Sequence, residues 1–263
     1  MQPKSLGYRT DLIFARFDGE VIDRGDHLMI KTASNPGFYW GNFLLFAQPP
    51  RAVDKSRWCS LFEEEIGRPP EVNHQVFGWD TTDGEPGVVQ PFLDEGFRLA
   101  SNVVMTSAEP FPPRRPADLI DVRPLKTESE WSAAVENQVI SRELEFSEDE
   151  YRDFRQRQMA RYRQMVESDL GDWYGAFVDG RLVADLGVFI DEDVGRYQSV
   201  QTHPDYRRQG IGGTLVFESG RQAIGKYGLK VLVIVAELDS RAASLYQSVG
   251  FQHAEEQMGL ETW

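Results

Sequence analysis

The sequence predicts an α/β (α+β) fold, a mixed and mainly antiparallel central sheet flanked by helices, arranged as two tandem domains. Three observations carry this expectation. An alternating run at residues 196–202 stops at His203-Pro204, and a basic, glycine-bearing loop then leads into the amphipathic helix that opens Thr214-Leu215-Val216-Phe217. Ahead of it, the apolar runs 173–178 and 181–190 flank Asp179-Gly180, the signature of a hairpin with a tight turn. Near the middle, residues 110–116 (PFPPRRP) read as a stiff polyproline linker that divides the chain into 1–115 and 117–263.

In chain order, residues 10–17 are expected as a strand, with a turn at Asp18-Gly19 and further strands at 20–22 and 27–32. Asn35-Pro36-Gly37 is a turn, and 38–47 (FYWGNFLLFA) is a dense aromatic strand ended by Pro49-Pro50. Residues 54–66 form a helix with Trp58, Leu61, Phe62 and Glu65 near one face, closed by Gly67 and Pro69-Pro70. A strand at 72–79, a helical turn at 91–95 and a strand at 97–106 complete the first half. The second half opens with a strand at 119–124. Thr127 and Glu130 then cap a helix whose apolar stripe is Trp131, Val135, Val139 and Ile140. Residues 147–150 (SEDE) cap a longer helix, 151–167. Its arginines follow Glu143, Glu145 and Glu148, so it reads as a solvated face rather than a nucleic-acid surface. A buried strand at 230–236 (KVLVIVA), a short helix at 240–248 and a strand after Gly250-Phe251 end the chain.

A weak internal repeat appears when residues 91–105 (PFLDEGFRLASNVVM) are laid over 245–259 (LYQSVGFQHAEEQMG), joined at Gly-Phe. Chance is the competing explanation, because Gly-Phe after a helix is common. The first half has no Arg-x-x-Gly-x-Gly between a strand and a helix, so a copy there has no phosphate site.

Composition narrows the function classes. A formal net charge of −14 argues against a nucleic-acid backbone as partner and is compatible with an amine substrate, although solubility alone also accounts for it. No apolar run approaches a membrane span, the first residues lack the apolar core of a signal peptide, and the single Cys59 fits a reducing cytosol, so a cytoplasmic protein is expected. His27, His74, His203 and His253 show no metal-ligand spacing, and no metal is expected.

The chemistry concentrates at residues 203–213 (HPDYRRQGIGG). Arg207, Gly210 and Gly212 stand at the spacing Arg-x-x-Gly-x-Gly. Glycines let successive N–H groups converge on one anion, the following helix adds its dipole, and Arg207 and Arg208 add charge for phosphate oxygens. With residues 243–251 (ASLYQSVGF) after the intervening helix and strand, the chain resembles the GCN5-related N-acetyltransferase (GNAT) superfamily, clearly over the C-terminal half and faintly over the N-terminal half, a possible degenerate second copy.

That resemblance implies the acyl-CoA N-acyltransferase fold. It makes 117–263 the catalytic N-acetyltransferase domain and 1–115 a degenerate acetyltransferase-like domain without a cofactor site. It implies acetyl-CoA as co-substrate, held by backbone groups of Val200, Gln201 and Thr202 along the pantetheine. The diphosphate falls to Arg207, Arg208, Gln209, Gly210, Ile211, Gly212 and Gly213. Tyr246 stands where the family has a tyrosine facing the thioester sulfur; a helix aromatic packed in the core is the competing reading. Asp239 replaces a frequent asparagine of the cofactor site, and Ile234 stands where some members carry a glutamate base, so no base is named. Glu237 and Asp239 are nearby acids, more in keeping with solvent-facing loop residues. The implied reaction is acetyl transfer to a primary amine of an unidentified small-molecule or peptide acceptor. The alternative is a non-catalytic acetyl-CoA-binding sensor.

Overall fold

The computed structural model describes residues 1–142 and 147–263, so Glu143 and Glu145 lie outside the described residues. The chain forms two compact units: Met1–Val104 with Val235–Leu238 and His253–Trp263, and Met105–Ile234 with Asp239–Gln252. Compactness therefore divides the chain differently from 1–115 and 117–263. The break falls between Val104 and Met105, and the C-terminal residues count with the first unit.

The first unit opens with helix α1 (Leu6–Asp18), where a strand at 10–17 is expected. Ile13, Phe14 and Phe17 favour strands locally, but Tyr8, Leu12 and Ala15 recur at helical spacing and pack together on the sheet. Ser5 caps the helix by accepting from the Tyr8 N–H. Strands β1 (Glu20–Asp23) and β2 (His27–Lys31) follow. The aromatic run is shorter as a strand than expected. Tyr39–Gly41 is a 3-10 turn and only Phe43–Phe46 is strand β3. Buried Asn42 sets this break, because its amide donates to the carbonyls of Asn35 and Phe38 and its oxygen accepts from the Thr32 N–H.

Helix α2 (Asp54–Glu65) leads to strand β4 (Gln75–Trp79), parallel to β3; helix α3 (Gln90–Leu93) leads to strand β5 (Arg98–Ser107). The strand order in this unit is β1-β2-β3-β4, then the C-terminal strand β11 (Gln252–Thr262), antiparallel to β4. Alternation sorts the side chains: Leu28, Ile30, Phe43, Leu45 and Val76 meet α1, while Met29, Leu44, Phe46, Phe77 and Trp79 meet α2 and α3.

The second unit has strand β6 (Asp121–Pro124), helices α4 (Glu128–Ile140) and α5 (Glu148–Glu167), then antiparallel strands β7 (Gly171–Val178), β8 (Arg181–Asp191) and β9 (Val194–Thr202). Helix α6 (Ile211–Tyr227), strand β10 (Val231–Glu237) and helix α7 (Arg241–Gln247) complete it. Strand order is β6-β7-β8-β9-β10, with β10 parallel to β9. The Thr127–Glu130 capping box forms as expected. On β7, Trp173 packs against Trp131 of α4 and Tyr162 of α5, while its neighbour Asp172 binds Lys226 and Tyr227 of α6. The helices therefore cover both faces. Residues 110–116 are not a free hinge. The Phe111 N–H donates to the Val249 carbonyl, and just beyond them the Ala117 N–H donates to Thr214 Oγ1, strapping the segment along α6 and α7.

In the first unit, the Phe46 ring lies flat on Trp58 at 3.8 Å, inside a cluster with Phe77 and Phe92. Phe46→Ala removes that ring from a fully packed site and is expected to destabilise the protein by about 3–5 kcal/mol, read from urea denaturation.

Candidate active site

The site begins with a strand that leaves its neighbour. β10 pairs with β9 only from Val194↔Val231 to Arg196↔Val233. On the other side of β9 the register slips: Gly187 faces Gln198, but Asp185 faces Gln201, so β9 carries one extra residue. Ser199, at this bulge, has φ +50°. A bulge bends the strand that holds it. Past Arg196, β9 presents an edge of backbone donors and acceptors that β10 does not pair, and Val200, Gln201 and Thr202 lie on it, half-buried.

The bulge is pinned from below. Gln138 Nε2 donates to the Ser199 carbonyl at 2.9 Å and to Asp185 Oδ1 at 2.7 Å. Asn137 Nδ2 donates to Asp185 Oδ2 at 2.6 Å, and Trp173 Nε1 to Asp185 Oδ1 at 3.1 Å. Asp185 is completely buried, and that burial pushes its carboxyl up to about 7 against the pull of its three donors. The sequence reading missed this residue. The available signal was an acid inside the apolar strand Leu182-Val183-Ala184-Asp185-Leu186, a position that water cannot reach.

The loop after β9 turns tightly and leaves a run of its amides without backbone acceptors among the described residues. His203 Nδ1 accepts from the Asp205 N–H, capping a 3-10 turn at Pro204–Tyr206. Arg207 Nε donates to the Thr202 carbonyl, and Gln209 Nε2 donates to that of Asp205. Arg208 and Gly210 take left-handed backbone, φ +64° and +81°. The first helical N–H with a backbone acceptor is that of Thr214, bonded to Gly210. Among the described residues, the amides of Arg208, Gln209, Gly210, Ile211, Gly212 and Gly213 have none, at the N-terminus of a 17-residue helix. Gly210 is required twice, by its φ and because a Cβ there would strike the Arg115 carbonyl. A Cβ on Gly212 would meet only Thr202 Oγ1 at 3.3 Å and Leu245 at 3.4 Å.

Tyr246 lies on α7, buried, beside Phe251. Its hydroxyl makes no hydrogen bond among the described residues, and burial raises its pKa well above the usual phenol, so it stays protonated. Ser240 caps the helix. Asp239 and Glu237 are exposed and Ile234 is buried. Asp239 has left-handed backbone, φ +59°. Half-buried Cys59 sits on α2 in the other unit, its thiol pushed up by burial. Among the described residues no group of three or more His, Cys, Asp or Glu side chains could hold a metal, and no helix is long and apolar enough to cross a membrane.

The first unit repeats the order strand, loop, helix, parallel strand in β3, α2 and β4, but its loop and helix start differ in chemistry. The loop reads Ala47-Gln48-Pro49-Pro50-Arg51-Ala52-Val53, and its two prolines carry no N–H. Asp54 occupies the helix start. Its carboxylate accepts from the Arg51 N–H and guanidinium, and those bonds hold its pKa below the usual carboxylate range. β3 and β4 stay paired to Phe46↔Trp79, and the Asp80 N–H donates to the Phe46 carbonyl beyond it. The repeat at Gly-Phe is present in geometry. The Phe97 N–H bonds the Phe92 carbonyl as that of Phe251 bonds Tyr246, and Gly96 and Gly250 share positive φ. Phe92 therefore stands where the other unit has Tyr246, without a hydroxyl.

Residues 169–253 match the family described as Acetyltransferase (GNAT) domain. Among solved structures, the chain is similar to a GCN5-related N-acetyltransferase from Kribbella flavida, at 14% identity and TM-score 0.67, covering 98% of this chain and 96% of that one. It is also similar to a functionally unknown conserved protein from Staphylococcus epidermidis, at 13% identity and TM-score 0.68, covering 94% of each. A tandem GNAT protein from the clavulanic acid biosynthesis pathway matches at 11% identity and TM-score 0.53, over 84% of this chain and 74% of that one. A search of curated proteins finds no match. The GNAT expectation thus holds as a domain match over 169–253, and as a fold, in tandem, over nearly the whole chain.

The buried acid sets a pH dependence. Folded Asp185 keeps its proton up to about 7, whereas the unfolded chain loses it near 3.8, so the folded state binds more protons between those values. Stability contributed by this group is therefore lost as pH rises from about 4 to 7, by at most about 4 kcal/mol. Urea denaturation across that range should show wild type losing stability relative to Asp185→Asn as pH rises. A constant difference would contradict the burial argument.

Proposed function

We propose that the second unit is an acetyl-CoA-dependent N-acetyltransferase acting on a primary amine. The observation that carries this is the unpaired edge of β9 running into a loop whose six successive amides lack backbone acceptors. The amides of Arg208 to Gly213 hold the diphosphate, with Arg207 and Arg208 adding charge. Val200, Gln201 and Thr202 pair with the pantetheine as a neighbouring strand would.

Held in this slot, the thioester meets the amine in line, and positioning supplies much of the rate. The C–N bond forms, the C–S bond breaks, and the amine proton leaves to water. Tyr246 keeps its proton until the thiolate departs and then donates it. Asp239 and Glu237, both exposed, are poorly suited to act as the base.

Two variants test this reading. Gly212→Val sets a branched side chain beside Thr202 and Leu245, where a Cβ alone already meets atoms at 3.3 and 3.4 Å, and is expected to weaken coenzyme A binding at least about tenfold by calorimetry while the circular-dichroism spectrum stays that of the folded chain. Gly210 is the poorer test, because any side chain there displaces the strap at Arg115. Tyr246→Phe removes only the hydroxyl and is expected to lower turnover about tenfold to a hundredfold, with acetyl-CoA affinity and melting temperature preserved. Wild-type turnover in that variant across pH would remove the acid role.

A further inference from the structure

The acceptor's chemistry can be read from where the acyl group must end. This argument rests on the acetyl-CoA reading above. The diphosphate end is fixed at residues 208–213 and the pantetheine runs back along Thr202, Gln201 and Val200. The next residue inward is Ser199, at the bulge. The acceptor nitrogen must therefore approach beside Ser199.

One cation stands there. Arg155 of α5 places Nη1 3.4 Å from Ser199 Oγ. Its guanidinium is held firmly. Nε and Nη2 donate to the Tyr151 hydroxyl at 2.9 and 2.7 Å, Nη1 donates to Gln158 Oε1, and the group lies 5.1 Å from the centres of both the Tyr151 and Phe154 rings. Every one of these partners is neutral. Among the described residues no carboxylate forms an ion pair with Arg155, in a chain where Arg51, Arg123, Arg152, Arg163 and Arg221 each have one. Asp185 feels its charge, but both oxygens of that acid are already taken by Asn137, Gln138 and Trp173.

Counting donors shows what remains. A guanidinium has five N–H groups. Three are committed to Tyr151 and Gln158, one makes only the long contact with Ser199, and the second proton of Nη2 has no partner among the described residues. The two uncommitted protons belong to Nη1 and Nη2, whose end-on edge suits the two oxygens of a carboxylate.

We infer that the acceptor amine carries a carboxylate, which Arg155 receives beside Ser199, so that the substrate class is an amino acid or a close relative rather than a polyamine or an uncharged amine. The chain's net charge of −14 points the other way, toward cationic ligands in general, so a local cation with a fixed fork and no acidic partner among the described residues is the more specific signal.

The test uses the full chain, acetyl-CoA and thiol release, with each of the common amino acids paired against its carboxamide. The carboxamide amine is less basic and more often neutral, so the intrinsic bias runs against the proposal. At least one free amino acid is expected to exceed its carboxamide in kcat/KM by about tenfold to a hundredfold, the range of a charge-assisted hydrogen bond. Arg155→Gln should bring that ratio near one with the KM for acetyl-CoA unchanged, and Arg155→Lys should restore part of it. Equal rates for acid and carboxamide throughout, including no acetylation of either while coenzyme A still binds, overturn the proposal. So does an Arg155→Gln variant that keeps the preference, which would leave Arg155 as a structural brace of α5. Failure of the chain to bind coenzyme A at all would instead remove the acetyltransferase reading, and this inference with it.

Discussion

The structure of the second unit turns on one hydrogen bond, from Gln138 Nε2 to the carbonyl of Ser199. Without it the extra residue in β9 loses its bond to the buried interior, and two parallel strands that pair well at Val194–Arg196 would gain by continuing to pair. The bond is oriented by Asp185, which takes the other proton of the same amide and is itself fixed by Asn137 and Trp173. Burying a carboxyl in the middle strand of a sheet is costly, and its displaced acidity is a measure of that cost. The return is a rigid bend at the one place where β9 must part from β10.

The first unit shows what the same plan does without that bend. β3 and β4 remain paired to their ends, with Phe46 stacked on Trp58 beside them. Proline replaces two amide donors in the loop, and Asp54 brings a carboxylate of the protein's own to the helix start. Phe92 stands at the place of Tyr246. Each difference is small and local, and under the proposed function each removes a different requirement: the free strand edge, the anion cradle and the acid. The likeness in backbone and the difference in chemistry are both physical facts of this chain.

Much of this was legible in the sequence. The loop from His203 to Gly213 announces itself because glycine spacing and charge are local properties, and the hairpin, the capping box at Thr127–Glu130 and α6 follow from the same kind of signal. Three features were hidden for physical reasons. The helix at Leu6–Asp18 has residues that favour strands, and only tertiary packing of Tyr8, Leu12 and Ala15 decides against them. The place of the C-terminal strand depends on pairing across some 180 residues, from Gly78 to Gly259, which no local pattern records. The segment 110–116 has the composition of a linker, yet its N–H groups and prolines lie against α6 and α7, because composition sets stiffness and not where a stiff segment packs. Asp185 and Arg155 belong to the same class. Each is ordinary in sequence and acquires meaning only from what the fold places beside Ser199.

The central claim is that one of two similar units binds coenzyme A and the other does not. Calorimetric titration of the full chain with coenzyme A tests this most directly, because it counts sites without assuming an acceptor or a rate. The account predicts one equivalent bound per chain, abolished when Arg207 and Arg208 are replaced by glutamate and untouched when Arg51 is. Two equivalents, or one that survives the change at Arg207 and Arg208 and is lost with Arg51, would contradict it.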